Sequence, residues 1–371
     1  MFSSNFFITS GLYIMTAVLA FVLPPIHDYS VYIKIWEGFL QTSHPYIANG
    51  EFNGNSYGPL FIFLAYPYTV HTLLPRFIFV SIWFLLEIII IRLASDEKMK
   101  KMVWTIFFLN PLFYIFFLLL GINEIVMTFC LVVSLLFLIG KGAKKNEIAA
   151  GVFLGLGILF KFTLLILVPF IVLKKDGLRW KFLISVIATI GIGFGLGYLA
   201  WGKEILTPFA FAVERPTTFL SIFYPFRQIV PNSLTNLLSN WLLAGGLLAL
   251  FLAHFKHRYS LVLISILALL VLFMFYRISL PHYQVSIIAL CLVWIIQTRE
   301  SKQKVSFIPV YVYIAWISTL TVLYITLDKF YGDWEWIRVI ISIPTFIVSL
   351  VMMIFLVRNR THLILDRGRV K

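Results

Sequence analysis

The chain has 371 residues, 61% of them hydrophobic and 12% charged, with thirty Lys and Arg against sixteen Asp and Glu for a net charge of +14. A soluble domain carries about a quarter charged residues, so these charges cannot cover a globule of this length, and lipid is the solvent for most of the chain. That excludes a soluble enzyme, a nucleic-acid-binding module and a disordered chain, and the positive balance is the kind that basic cytoplasmic loops give a membrane protein.

A bilayer span needs roughly 20 mostly apolar residues. Ten stretches qualify: 5–23, 76–94, 102–120, 122–140, 182–201, 237–253, 259–276, 283–297, 306–327 and 337–357. The first has no basic segment ahead of it and no small-residue cleavage site behind it, so it reads as a span and not as a signal peptide. Cys130 and Cys291 lie inside apolar runs and read as small buried hydrophobes.

Twenty-one of the thirty bases fall in six clusters: Arg92 to Lys101, Lys141 to Lys145, Lys174 to Lys181, Lys256 and Arg258, Arg299 to Lys304, and Arg358 to Lys371. With the six acids in and beside them (Asp96, Glu97, Glu147, Asp176, Glu300 and Asp366) these segments hold a net +15, while the rest of the chain holds nine bases and ten acids. All six can share one side if an even number of crossings separates neighbours, and the positive-inside rule makes that side, with the C-terminus, the cytoplasm. The exception is 148–173, which has a positive loop at each end and Lys161 in its middle. It is too long for one span and too short for two. Two half-helices turning near Lys161 satisfy both flanks, since irregular backbone at membrane depth is tolerated against protein or a water-filled cavity. A single tilted helix with a snorkelling lysine is the alternative.

On this orientation residues 27–75 lie outside. The segment opens on His27-Asp28, after Pro24-Pro25-Ile26. Over residues 29–41 a helix places Tyr32, Ile35, Trp36, Phe39 and Leu40 on one face, the pattern of an interfacial amphipathic helix. A polar stretch with His44-Pro45-Tyr46 and Tyr57-Gly58-Pro59-Leu60 follows. Residues 59–74, broken by Pro67, read as a second interfacial or re-entrant helix, because parity forbids another crossing. Further on come Leu109-Asn110-Pro111 and Gly121-Ile122-Asn123-Glu124 at the tops of two helices, then Gly151 to Lys161 followed by Pro169. The loop 202–236 holds Glu214-Arg215-Pro216 and Phe223-Tyr224-Pro225-Phe226-Arg227, and Arg277 to Tyr283 bridges two late helices. Residues 329–338, with Trp334 and Trp336, read as an interfacial belt.

A short first span, an exoplasmic-edge Asp, an aromatic amphipathic helix, a Pro-Tyr pair, a Tyr-x-Pro-Leu and the two later polar segments resemble the GT-C glycosyltransferases. The nearest pattern is that of the polyprenol-phosphate-dependent mannosyltransferases, both the PIG-M-like enzymes and their bacterial relatives. The resemblance covers roughly residues 5–175, and it implies a single all-α polytopic domain. In that architecture a GT-C-like core (1–175, with first exoplasmic loop 26–75) precedes a variable transmembrane module (176–371). About ten transmembrane helices would be joined by a re-entrant pair and interfacial helices. The PIG-M-like enzymes carry Asp-x-Asp where this chain has His27, Asp28 and Ser30, so no metal ligands carry over and a divalent cation stays an open question.

The implied activity is inverting transfer of a hexose, mannose by this resemblance, from a polyprenyl-phosphate donor to a lipid or glycan acceptor on the exoplasmic face. That face belongs to a cell membrane, or to the endoplasmic reticulum in a eukaryote. Such a transfer needs a carboxylate to take the acceptor's proton. Asp28 is the expected base and Glu124 a second active-site carboxylate. His27 and Tyr57 are expected substrate contacts. Lys161, Arg215, Arg227, Arg277 and His282 are expected cations for the lipid phosphate, since charge-assisted bonds to phosphate are the strong ones. Each residue also has a plainer role open to it. Asp28 suits an N-cap, Glu124 suits a helix start, and exoplasmic arginines suit headgroups. Glu87, in mid-span, has no role in this scheme and would equally serve a transporter or flippase of lipid-linked sugar.

The orientation has a direct check. Cysteines placed at Asn53 and Asn232 are expected to react with an impermeant thiol reagent in intact cells, and one at Lys144 is not. The reverse pattern would overturn the charge argument.

Overall fold

A computed structural model describes residues 5–26, 28–46, 57–140, 146–174, 177–209, 217–218, 220–227, 229–301, 303–330 and 335–359. The described chain is helical almost throughout, as a chain in lipid must be unless it closes a barrel, because no water is there to satisfy the backbone. Among the described residues six helices are long and apolar enough to cross a membrane: 74–93, 180–209, 232–257, 281–300, 308–326 and 336–358. The count is seven if Glu97–Phe108 and Pro111–Leu119, bent by 44° at their junction, form one span. Ten were expected. Nine of the ten expected spans each coincide with one helix, whereas 102–120 is broken at Leu109-Asn110, and Glu124–Ile139 and Leu261–Phe275 have only 16 and 15 residues.

Two compact units divide the chain. The first comprises 1–130, 155–162 and 188–214. It begins with α1 (Asn5–Val22) and α2 (Asp28–Thr42). On α2 the buried stripe is Tyr29, Tyr32 and Trp36, spaced as one helical face, whereas Leu40, expected on that face, is exposed. The aromatic stripe is held by polar tips: the Trp36 indole N–H donates to the Phe61 carbonyl at 3.3 Å, and the Tyr29 hydroxyl donates to the Thr72 carbonyl at 2.8 Å. Residues 59–74, expected as one interfacial or re-entrant helix, form two short pieces, α3 (Pro59–Ile62) and α4 (Ala65–Val70), ahead of α5 (Leu74–Leu93).

α6 (Glu97–Phe108) is N-capped by Asp96, whose carboxylate accepts from Met99 N–H at 2.7 Å. It stops before Asn110-Pro111, because a residue preceding proline is pushed out of the helical region. Asn110 then caps α7 (Pro111–Phe113) through Leu112 N–H at 2.9 Å, and α7 runs on as a π-helical stretch, Tyr114–Leu119. Gly121 follows with φ +59°, and α8 (Glu124–Ile139) starts three residues later.

α9 (Glu147–Phe160) and α11 (Trp180–Trp201) run parallel. Gly151 faces Phe182 and Ser185, Gly155 faces Thr189, and Leu159 faces Gly193. The chain between them must therefore travel back. It does so through a 3₁₀ segment (Phe162–Leu167), α10 (Val168–Val172) and a two-residue antiparallel ribbon, β1 (Leu173–Lys174) with β2 (Gly177–Leu178). Lys161 is the non-helical residue at the reversal, where the half-helix expectation placed the turn.

The second unit comprises 131–154, 163–187 and 215–371. Its described helices include α12 (Asn232–His257), α13 (Leu261–Phe275), α14 (Val285–Glu300), α15 (Ile308–Phe330) and α16 (Glu335–Arg358). The stretch Pro281–Glu300 is buried except near its C-terminal end and forms the centre of the unit, whereas most of α12 is exposed. α14 is apolar on every side, as a helix enclosed by other helices should be.

One buried contact secures the first unit's entry. Arg76 is wholly buried at the start of α5. Its Nε and Nη2 donate to the Ala20 carbonyl at 2.9 and 2.6 Å, and its guanidinium also reaches the carbonyls of Leu23 and Pro24. It thus supplies the donors that the last turn of α1 lacks. Arg76→Met is expected to strand those carbonyls and cost about 2–4 kcal/mol, read as a lower melting temperature of the purified protein.

Candidate functional site

Four backbone breaks of the first unit supply its polar residues: the start of α2, the loop into α3, the start of α8 and the end of α9. Glu124 is the first residue of α8, where a carboxylate suits the positive end of the helix dipole. Lys161 follows the last residue of α9, and its ammonium donates to Glu124 Oε1 in an ion pair whose side chains are 11% and 1% exposed. The Tyr57 ring lies over the ammonium, 5.7 Å from Nζ. This pair stands where the expectation had a phosphate-binding lysine and a separate active-site carboxylate, so each charge already has a partner.

Tyr57 links the pair to α2. Its hydroxyl donates to the Tyr32 hydroxyl at 3.2 Å, and the two rings meet edge to face at 5.3 Å. Gly58, next in sequence, donates its N–H to the Phe160 carbonyl at 3.2 Å and lies so close to the Leu159 backbone that a Cβ there would collide with it. The loop thereby docks onto the end of α9. Gly121 makes the matching contact at α8: its positive φ suits glycine, and a Cβ would strike the Tyr29 ring.

Asp28 is the first residue of α2 and is half-buried. Tyr32 stands one turn later on the same face. The Tyr32 phenol is held well above its usual range, first by burial and then by Tyr57 and the carboxylates of Glu124 and Asp28. Both carboxylates therefore lie within electrostatic reach of one buried hydroxyl. Among the described residues the Asp28 carboxylate accepts no hydrogen bond and forms no salt bridge. The described residues contain no group of three His, Cys, Asp or Glu able to hold a metal ion.

The remaining expected cations are in the second unit. Arg277, 6% exposed, follows α13, and its guanidinium donates to Asn236 Oδ1. Its backbone is held from both sides: its N–H donates to Ser239 Oγ at 3.1 Å, and its carbonyl accepts from Thr218 N–H at 2.9 Å. Thr218 Oγ1 in turn donates to the Ser279 carbonyl at 2.7 Å and accepts from Ser279 N–H at 2.6 Å. His282, 5% exposed, lies in the 3₁₀ turn Pro281–Gln284, where Gln284 Oε1 accepts from the Tyr313 hydroxyl at 2.5 Å. Arg227 stacks over Tyr224 at 4.3 Å and is half-buried. His27 and Arg215 lie outside the described residues.

Sequence reasoning missed Tyr32 as a polar participant, since its place on an apolar face made it look like packing. It also missed the Thr218–Ser279–Gln284–Tyr313 set, whose members carry no local signal. Asn123 was noticed only as part of a motif. No family model and no curated protein matches this chain.

A double-mutant cycle tests the ion pair. Glu124→Gln or Lys161→Met alone strands a buried charge and is expected to cost about 3–5 kcal/mol. The double variant is expected to recover most of that stability, measured as the melting temperature. Additive losses would mean that the two side chains do not interact.

Proposed function

We propose that the protein is an inverting glycosyltransferase that moves a hexose, mannose in the first instance, from a polyprenyl-phosphate donor to a lipid or glycan acceptor on the exoplasmic face of its membrane. The observation that supports this reading is the state of Asp28. A half-buried carboxylate with no hydrogen-bond partner among the described residues stands at a helix start, one turn from a buried tyrosine that also senses Glu124. A carboxylate in a structural cap would be occupied by backbone N–H groups. One kept open is suited to accept a proton.

In the proposed reaction the acceptor hydroxyl oxygen attacks the anomeric carbon while its proton passes to Asp28. The bond from that carbon to the phosphate oxygen breaks, and the electron pair leaves with the lipid phosphate. Phosphate is a good leaving group, so no strong acid is needed on that side. Glu124, paired with Lys161, is not a second base. Phosphate recognition is a task for cationic side chains, because oriented cations lower the energy of the charge that develops on departure.

A transporter of lipid-linked sugar is the second reading, and Glu87 favours it: the residue is 1% exposed, within α5, and neither carboxylate oxygen has a hydrogen-bond partner among the described residues. Intramembrane acids of that kind often lie on transport pathways. Incubation of the purified protein with labelled polyprenyl-phosphate hexose separates the two readings, since a transporter moves label across the bilayer without attaching it to an acceptor.

Asp28→Asn tests the enzymatic reading. The amide keeps the side-chain size but not the basicity, so turnover is expected to fall roughly 10²–10⁴-fold with the melting temperature unchanged. Transfer at the wild-type rate would remove Asp28 as the base.

A further inference from the structure

Asn123 is wholly buried, and among the described residues neither its Nδ2 nor its Oδ1 has a hydrogen-bond partner. A buried amide costs free energy unless a polar group meets it. Its position is well defined. It lies two residues after Gly121, which abuts the Tyr29 ring, and one before Glu124, which binds Lys161, and its carbonyl accepts the Val126 N–H at 3.1 Å. It therefore stands immediately before α8, between the aromatic wall of α2 and the reversal at Lys161.

The chemistry of the amide selects the ligand. A helix start ordinarily attracts an anion, but the carboxylate of Glu124 already occupies that position. An amide also presents both an acceptor and two donors. Phosphate oxygens only accept, so they would leave Oδ1 stranded, whereas a sugar hydroxyl both donates and accepts.

We propose that Asn123 reads a neutral hydroxyl of the donor's hexose, and that this part of the first unit is a subsite for the sugar and not for the phosphate. The assignment rests on the glycosyltransferase reading, and the two fail separately in the following experiment. The full-length protein, purified in detergent, is melted alone, with mannosyl-phosphopolyprenol, and with the same polyprenyl phosphate lacking the sugar. Wild type is compared with Asn123→Leu, which fills the same space without polar atoms, and with Asn123→Ala.

Ligand-free Asn123→Leu is expected to melt about 2–4 °C above wild type, because it removes a stranded amide. Both variants are expected to lose the extra stabilisation that the mannosyl group adds over the bare lipid phosphate in wild type, with affinity for the sugar-bearing lipid falling about tenfold or more. Two outcomes overturn the proposal. A lower melting temperature for Asn123→Leu would mean that an internal water or neighbour already satisfies the amide. A mannosyl-dependent shift retained in both variants would mean that the amide does not touch the sugar. If wild type itself does not distinguish the two lipids, the glycosyltransferase reading fails at its root and the hydroxyl assignment goes with it.

Discussion

The first unit is organised around one buried ion pair. Glu124 and Lys161 are 37 positions apart in sequence and meet only because α8 begins, and α9 ends, at the same place. Moving two charges out of water costs several kcal/mol each, and the attraction between them offsets that only with good geometry and surrounding support. Here the support consists of the Tyr57 ring over the ammonium and the dipole of α8 behind the carboxylate. Because both charges become liabilities when separated, the pair fixes where α8 starts and where α9 turns back. The loop carrying Tyr57 and Gly58, and through it the aromatic face of α2, are positioned by the same requirement.

The helices of this unit are interrupted, and each interruption frees backbone groups that need partners. The solutions are local and specific. Arg76 supplies donors to the last carbonyls of α1, and the Gly58 N–H closes on the end of α9. At the far side of the reversal, Arg179 in the second unit donates to the carbonyls of Ile171 and Leu173 at the end of α10. A lipid-embedded chain can tolerate broken helices only where protein takes over the role of water, so these contacts make the breaks sustainable. The breaks in turn release Asp28, Tyr57, Asn123, Glu124 and Lys161 from positions where a continuous helix would have held them.

The second unit follows a different plan. Its centre is a helix enclosed on nearly all sides, and its polar groups collect in the turn leading into that helix. Arg277 and Ser279 are held by Ser239, Asn236 and Thr218, and Gln284 by Tyr313.

Hydropathy and charge were legible from the sequence because both are sums over neighbouring residues. They sufficed for the helical class, the apolar segments, the amphipathic α2 and the reversal at Lys161, where a lysine amid apolar residues cannot sit comfortably in a continuous span. The number of helices long enough to cross was not legible, since the π-helical stretch after Pro111 and the short α8 and α13 depend on packing and not on composition. The candidate residues Asp28, Glu124, Tyr57 and Lys161 could each be named from local pattern, but their relations could not. Tertiary structure alone decided that Lys161 faces Glu124, that Tyr32 senses two carboxylates, that Arg76 caps a helix more than fifty residues upstream and that Asn123 is buried without a partner among the described residues. The reason is physical. A partner for a buried polar group is set by which chain breaks coincide in space, and nothing in the residues adjacent to either partner encodes that coincidence.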